Sequence, residues 1–181
     1  MSLQKHKPPT TNIEDWINPK INIKKSLIEG QGLFANKNIK KGEKLIVWGG
    51  HYINSNEVKK YKKMGKLVIQ WDEDLYSVEE RGDEKGYFIN HSCEPNMWMI
   101  DAYTIIAKRN IAINEELAID YALFEANENY ISKWQCQCGS SLCRGQITGT
   151  DWRNPKLQDR YKNHFSPLLN KRIQEIKKFK S

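Results

Sequence analysis

Three of the four cysteines lie within eight residues, and this spacing constrains the fold more than any other feature of the chain. They are Cys136, Cys138 and Cys143, and the fourth is Cys93. The cluster is too tight for a useful disulfide staple, but thiolates at this spacing can share one tetrahedral Zn²⁺. Because structural zinc sites take four ligands, the spacing predicts a four-cysteine site that ties residue 93 to the 136–143 loop. Reduced, unliganded thiols are the remaining alternative.

The cysteines and the apolar runs also bear on where the protein works. Four cysteines could form disulfides in three pairings, but the sequence shows no export signal and its 181 residues are enough to build a core. Its longest apolar stretches are about four residues, such as Met97–Ile100, too short for a transmembrane helix or a secretory apolar segment. We therefore expect an intracellular, reducing location and no membrane partner.

Short strand-like runs fill the first two thirds of the chain after a polar N-terminal segment. Asn54 followed by Glu57 forms a predicted capping box for a lysine-rich helix that ends near Gly65. Leu67–Val78 is expected to form a strand pair with its turn at Asp72–Asp74. Further strands are predicted at 21–28, 44–48, 98–107 and 116–120.

The pattern changes to helix after Trp152. Asn154-Pro155 and Ser166-Pro167 are both typical of helix N-termini, with proline at the first helical position. Leu169, Ile173 and Ile176 form one apolar stripe with lysine and arginine elsewhere. The stripe favours a helix that packs on the core, and a basic helix on a membrane surface or a partner is the alternative.

The net charge of +7 conceals a division of the chain into three blocks. Residues 1–68 carry 14 lysines and 5 acids, residues 69–130 carry 4 bases and 14 acids, and residues 131–181 carry 11 bases and 3 acids. Each block could be an ordinary solvated surface. If a functional site lies in the middle block, its charge favours a cationic partner over a phosphate backbone.

Three segments contain residues suited to chemistry, although none is decisive alone. Glu29–Ala35 has two glycines that would let backbone approach a ligand, but it lacks the third glycine of a dinucleotide-binding fingerprint. Tyr87–Asn96 includes His91, which could be a general base or a structural histidine. Glu115–Tyr121 combines two acids with a tyrosine.

Taken together and in this order, the strings G-x-G-L-F-A, F-I-N-H-S-C-x-P-N, E-E-L-x-I-D-Y and C-x-C-x4-C resemble a SET-domain protein lysine methyltransferase with a post-SET zinc loop. The resemblance runs from about Ile21 to Gly149 and is closest to the small, stand-alone members. It implies a mainly β fold, the SET fold, in which small curved sheets surround a pseudoknot made by segments 90–96 and 116–121, with helices at the C-terminus. The implied organisation is a tail at 1–20, a SET domain at 21–130, a post-SET zinc loop at 131–149 and a helical extension at 150–181.

The resemblance also assigns roles to individual residues. It implies S-adenosylmethionine as cofactor, structural Zn²⁺ on the four cysteines, and Tyr121 as the catalytic residue. The implied cofactor contacts are Gln31, Gly32, Leu33, Asn90, His91, Trp134 and Leu142. The implied substrate channel includes Tyr87, Ile119 and Phe124.

Two positions depart from the family pattern. Ile119 stands where many members have Phe or Tyr, which leaves the number of methyl groups open and favours higher methylation. Asn114 stands where the family often has glycine, and asparagine can adopt the same left-handed conformation. No additional chromatin-reading module is recognisable, so the surface of this domain must select the substrate.

The expected partner is a basic protein or peptide, such as a histone tail, with nucleic acid at most a docking surface; the sequence says nothing of the oligomeric state. One alternative is an inactive SET-fold module that binds nucleic acid or chromatin through Lys59-Lys60, Lys62-Lys63 and Lys177-Lys178. Another is a methyltransferase for a non-histone protein. The compartment would be the cytoplasm or the nucleus, or a host cell if the protein is a secreted effector.

Overall fold

The computed structural model describes residues 14–79 and 88–179, which form three small sheets and three α-helices. The strands, in chain order, are β1 Trp16–Ile17, β2 Ile21–Lys25, β3 Gln31–Ala35, β4 Lys44–Val47, β5 His51–Ile53, β6 Leu67–Asp72, β7 Leu75–Glu79, β8 Asn90–His91, β9 Met97–Met99, β10 Thr104–Ala107 and β11 Glu116–Ile119. The helices are α1 Ser55–Lys63, α2 Pro155–Tyr161 and α3 Pro167–Lys178. The mainly β prediction with C-terminal helices is confirmed.

Two of the three sheets combine strands that are distant in sequence, and the third is built from consecutive strands. Their orders are β1-β4-β10-β9, β2-β3-β11-β8 and β5-β7-β6. Within the second sheet, β8 runs parallel to β11, with Asn90 opposite Ala118 and His91 opposite Ile119. Beyond β8, the Ser92 and Asn96 amides donate to the carbonyls of Ile119 and Ala118. The 90–96 segment is therefore threaded against β11, as the SET fold requires.

The predicted local signals form as expected. Asn54 and Glu57 make the reciprocal capping box of α1, and the lysine-rich helix ends at Lys63. The strand pair at β6 and β7 turns at Glu73-Asp74. Asn114 adopts a φ of 67°, the left-handed conformation usually taken by glycine.

The two C-terminal helices close the core from one side. Asn154 and Ser166 cap α2 and α3 through their side chains. Leu168, Leu169 and Ile173 are buried in the main core, and Ile176 packs against it. The core-packing interpretation of the apolar stripe is confirmed, and within the described ranges no helix has the length and apolarity needed to span a bilayer.

Candidate active site

A cleft of about 1140 Å³ is lined by residues of the turn before β3, of α1 and the β6–β7 pair, and of the segment from Tyr121 to Tyr130. Its lining includes the Glu29–Gln31 turn and Asn90, and also Trp48, Tyr121 and Phe124. Four of the predicted site residues thus share one cleft: Gln31, Asn90, Tyr121 and Phe124. Tyr87, also predicted for the substrate channel, lies outside the described residues.

Tyr121 is held at the cleft by two hydrogen bonds. It follows β11 directly and begins a short 3₁₀ turn over Tyr121–Leu123. Its hydroxyl donates to the carbonyl of Ile89 at 2.9 Å, and its amide donates to Nδ1 of His91 at 3.2 Å. Because backbone and side chain are both anchored, the hydroxyl oxygen has a defined position at the cleft wall.

Aromatic rings form the wall beside Tyr121. The Phe124 ring lies 5.5 Å from Tyr121 and 5.3 Å from Trp48, centroid to centroid. Trp48 in turn packs on the buried Trp71 at 5.1 Å. These rings give the wall beside Tyr121 an apolar surface.

Hydrogen bonds of the Asn90 side chain connect the glycine-containing turn at 29–31 to β11 of the pseudoknot. Its side-chain amide donates to the carbonyls of Glu29 and Gln31, both at 3.1 Å, and to Oε1 of Glu116 at 2.8 Å. Glu116 also accepts the hydroxyl of Ser26. The side chain of Asn90 therefore fixes a turn that lines the cleft.

Gly32 is needed for packing at this turn. A Cβ there would lie 2.2 Å from Oε1 of Glu116 and 3.0 Å from Nδ2 of Asn90. Its neighbour Leu33 is fully buried and pairs with β2 on one side and β11 on the other. The cofactor roles of both residues stay predictions.

His91 is a buried structural residue, the second of the two readings that the sequence left open. Its Nδ1 accepts the Tyr121 amide, and its Nε2 lies 3.3 Å from Sγ of Cys93. Burial lowers the pKa of His91 to about 4, so the ring is neutral. With Nδ1 as acceptor, the proton is on Nε2 and points at the sulfur. Ile119, opposite His91, is also fully buried, and its role in the substrate channel stays a prediction.

The four cysteines come together as their spacing predicted. Their Sγ atoms all lie within 4.8 Å of one another, and Cys93 and Cys136 are 4.0 Å apart. A tetrahedral site with Zn–S bonds of about 2.3 Å requires sulfurs about 3.8 Å apart, so the cluster fits this metal after small shifts. Burial raises the pKa of the Cys93 thiol to about 11, so a cation must be close for it to be a thiolate at neutral pH.

The two residues predicted to cover the adenine lie on the cysteine-loop side of the site. The Trp134 ring is 41% exposed and lies 5.9 Å from His91 and 6.3 Å from Tyr121, centroid to centroid. Leu142, inside the loop, is 44% exposed. These large apolar side chains at the surface have area available for a planar ligand, which leaves their predicted role in place.

The charge of the cleft is mixed. Its lining includes four carboxylates (Glu29, Glu79, Glu125 and Glu128) and three cations (Lys62, Lys66 and Arg172). Burial raises the pKa of Glu125. Of the acidic residues at the β6–β7 turn, Asp74 caps α1 by accepting from Ser55, and Glu73 pairs with Arg172 at 3.1 Å. The acidic surface expected from the middle block is therefore only partly directed into the cleft.

Three charged residues that organise the site were not identified from the sequence. They are Glu116, which binds Ser26 and Asn90, and the buried pair of Asp120 and Arg144. The sequence contains one indication that Asp120 and Arg144 belong to the site, because Asp120 directly precedes Tyr121 and Arg144 directly follows Cys143. A contact between positions 24 residues apart depends on tertiary structure, so spacing alone could not show it.

Comparison with known proteins agrees with this architecture. Residues 30–122 match the family described as "SET domain". This span includes β3, the threaded 90–96 segment, β11 and Tyr121. The chain belongs to the SET-domain family.

Among its relatives are histone-lysine N-methyltransferase trithorax of Drosophila virilis, 32% identical over 137 residues, and histone-lysine N-methyltransferase 2B of Homo sapiens, 33% identical over 138 residues. Each alignment covers 68% of this chain but only 4% and 5% of the relative. Histone-lysine N-methyltransferase ATX2 of Arabidopsis thaliana is 32% identical over 142 residues, 70% of this chain and 13% of that protein. The chain therefore spans a small part of each of these proteins.

Proposed function

We propose that this domain is an S-adenosylmethionine-dependent protein-lysine N-methyltransferase in which Tyr121 is the catalytic residue. One observation carries the proposal: the Tyr121 hydroxyl, fixed by the Ile89 carbonyl, belongs to a cleft whose lining combines a backbone turn at 29–31 with a group of aromatic rings. A two-substrate transfer needs this arrangement, because the cofactor and the lysine must meet at one point from different sides.

The cofactor would occupy the part of the cleft at the glycine-containing turn. Gln31, Gly32, Leu33, Asn90 and His91 would contact it, chiefly through backbone groups, and Trp134 and Leu142 would cover its adenine. The volume of about 1140 Å³ exceeds the usual range for small-molecule sites of roughly 300–1,000 Å³, which leaves room for a cofactor together with a lysine side chain. When bound, the cofactor supplies an electrophilic methyl group on a sulfonium sulfur.

Tyr121 would orient the amine that accepts the methyl group. Its O–H is donated to Ile89, so toward the lysine its oxygen would act as the acceptor of an N–H. An amine held by its N–H bonds directs its own lone pair elsewhere, toward the methyl group. Tyr121 would thereby hold the nitrogen as the nucleophile, and the cofactor would supply the methyl group and keep the electron pair of the S–C bond that breaks.

The aromatic wall would help the amine to lose its proton before the transfer. A solvated lysine has a pKa of about 10.4, so most of it is protonated at neutral pH. Phe124 and Trp48, which packs on Trp71, would exclude water from the amine as it approaches Tyr121. Desolvation disfavours the charged form and lowers the pKa of the entering amine, as does the positive charge of the sulfonium.

The four cysteines would hold a structural Zn²⁺. The closed set of four thiolates leaves no open coordination position, so this metal would fold the 136–143 loop and take no part in the transfer. We also propose the domain boundaries as predicted, with the SET domain at 21–130, the zinc loop at 131–149, and flanking segments at 1–20 and 150–181.

The substrate that we propose is a basic protein, histone-like in character. The relatives' names specify histone lysine as their acceptor, and the four carboxylates of the cleft outnumber its three cations by one, a balance that would favour a cationic segment. The predicted role of Ile119 favours higher methylation. The protein would act in a reducing compartment, cytoplasmic or nuclear, since four free thiols form the metal site.

Nucleic acid remains a proposed docking partner. Lys59, Lys60, Lys62 and Lys63 lie on α1, a helix with no buried residue, so they are free to meet a phosphate backbone. Binding of this kind weakens steeply as the salt concentration rises. An affinity for nucleic acid that did not change between about 50 and 200 mM salt would exclude it.

The activity is tested by transfer of labelled methyl groups. Purified protein, S-adenosylmethionine carrying a heavy-isotope methyl group, and either mixed histones or a lysate of the native host are incubated together. Mass spectrometry then locates the label. We expect it on lysine side chains of a basic protein; label on nucleic acid, on another side chain, or on no acceptor at all would contradict the proposal.

A further inference from the structure

We propose that Arg144 is a positioning residue that couples the four-cysteine cluster to Tyr121 through Asp120. The catalytic role of Tyr121 in this statement rests on the proposed function, but the coupling itself rests on contacts within the chain. The side chain of Arg144 leaves the cysteine loop and ends at the carboxylate of the residue before Tyr121.

Asp120 is the buried end of this connection. The residue is fully buried, and its carboxylate accepts hydrogen bonds from Tyr161 at 2.8 Å and from the Ala122 amide at 3.0 Å. The second bond caps the 3₁₀ turn that Tyr121 begins. Because the carboxylate caps this turn, a rotation of Asp120 would change the direction in which the Tyr121 ring leaves the backbone.

Arg144 fixes the plane of that carboxylate. Its two terminal nitrogens donate to the two oxygens of Asp120, each at 2.7 Å, and its Nε donates to Asp151 at 3.0 Å. A bidentate pair of this kind restricts orientation as well as distance, and a single ammonium cannot reproduce it. The buried negative charge also needs this partner, since an unpaired buried carboxylate is strongly destabilising.

The other end of the connection is the cysteine cluster. Arg144 directly follows Cys143, and its backbone amide donates to Sγ of Cys93 at 3.3 Å. The backbone of one residue thus contacts a sulfur of the cluster, and its side chain holds the anchor of Tyr121. When the four sulfurs draw together around a metal, the backbone at 143–144 is fixed, and so is the starting point of the Arg144 side chain.

His91 provides a second link that the experiment must separate from the first. It joins Cys93 to the Tyr121 amide, and its Nδ1 lies 3.8 Å from Oδ1 of Asp120. This link begins in the 90–96 segment and does not involve the loop. Replacing Arg144 should therefore leave it intact and reduce the coupling without abolishing it.

Hydrogen exchange measures the coupling without reference to activity. The comparison is between wild type, Arg144→Lys and the control Arg153→Lys, which changes a surface arginine paired with Glu128. In zinc-loaded protein, we expect Arg144→Lys to speed exchange in the 116–123 peptide by about tenfold, the signature of local opening, with the 97–107 peptide unchanged. Removing zinc should speed exchange in the same peptide of wild type, and should add less than about twofold in Arg144→Lys.

The control should behave as wild type in both states. If zinc-loaded Arg144→Lys protects the 116–123 peptide as well as wild type does, the proposal is wrong. If chelation unfolds the whole protein, the comparison of the loaded forms decides alone. Should Arg144→Lys not fold, the neutral double variant Asp120→Asn with Arg144→Gln removes both buried charges and is compared in the same way.

Kinetics distinguish positioning from a merely structural role. With zinc content confirmed at one ion per chain, we expect Arg144→Lys to lower kcat by about tenfold while the KM for cofactor stays within about threefold. Wild-type turnover per loaded molecule would contradict the proposal. A wild-type protein that transfers no methyl group would instead remove the proposed function, and the exchange experiment would still test the coupling.

Discussion

Replacing Gly32 with alanine would put a methyl group where the Glu116 carboxylate lies. The new Cβ would be 2.2 Å from Oε1 and 2.9 Å from Cδ of Glu116, far inside any permitted contact. Glu116 must then rotate away, and it loses its hydrogen bonds to Ser26 and Asn90 at 2.8 Å. Hydrogen bonds to a charged group contribute about 1.5–3 kcal/mol each, and partial exposure of Glu116 favours the lower end of that range.

We therefore expect Gly32→Ala to cost about 3 kcal/mol of unfolding free energy. At roughly 2–4 °C per kcal/mol for a chain of this size, the melting temperature should fall by about 6–12 °C. The KM for cofactor should rise as well, because Asn90 loses one of the bonds that fix it over the turn.

The double variant Gly32→Ala with Glu116→Ala tests the reasoning. Glu116→Ala alone loses the same two hydrogen bonds but leaves space for the methyl group. We expect the double variant to cost about as much as Glu116→Ala alone, roughly 3 kcal/mol rather than the 6 kcal/mol of two independent changes. Urea denaturation of the four proteins measures this, and additive costs would refute the clash as the cause.

Two further predictions concern the metal and a buried carboxylate. Cys136→Ser should lower the zinc content measured by elemental analysis and destabilise the protein, whereas Ser141→Ala in the same loop should do neither; full zinc retention by Cys136→Ser would refute the four-cysteine site. Burial raises the pKa of Glu125 above its unfolded value of 4.5. Between these two pKa values the folded protein holds a proton that the unfolded chain has lost, so the stability of the folded state falls as the pH rises through this range. Glu125→Gln should thus be more stable than wild type at pH 7 and equal to it below the unfolded pKa, and equal denaturation midpoints at both pH values would contradict this assignment.

Much of the fold follows from local signals in the sequence. The capping box at Asn54 and the N-caps at Asn154 and Ser166 each depend on residues within three positions, and all three form as predicted. Strand alternation placed β6 and β7 and their turn to within a residue or two.

The site was only partly predictable. Cysteine spacing indicated the cluster, because three ligands are neighbours in sequence and only Cys93 remains as a fourth. The network of Asp120, Arg144 and Tyr161 was not predictable, since its members come from the residue after β11, the residue after Cys143 and α2, and meet only in the folded chain. The charge of the cleft was also misjudged in part, because a block average does not show which side chains line it; α1 and α3 contribute Lys62 and Arg172 from the two basic blocks.

The central claim is that Tyr121 promotes methyl transfer to a lysine in this cleft, and single-turnover kinetics test it most directly. The variants to compare are Tyr121→Phe and Tyr130→Phe, two cleft tyrosines that each lose only a hydroxyl. We expect Tyr121→Phe to slow the transfer step by about a hundredfold, in the range typical for loss of one positioned polar group, with cofactor affinity by calorimetry unchanged. Tyr130→Phe should stay within about threefold of wild type. Equal transfer rates for wild type and Tyr121→Phe would contradict the account.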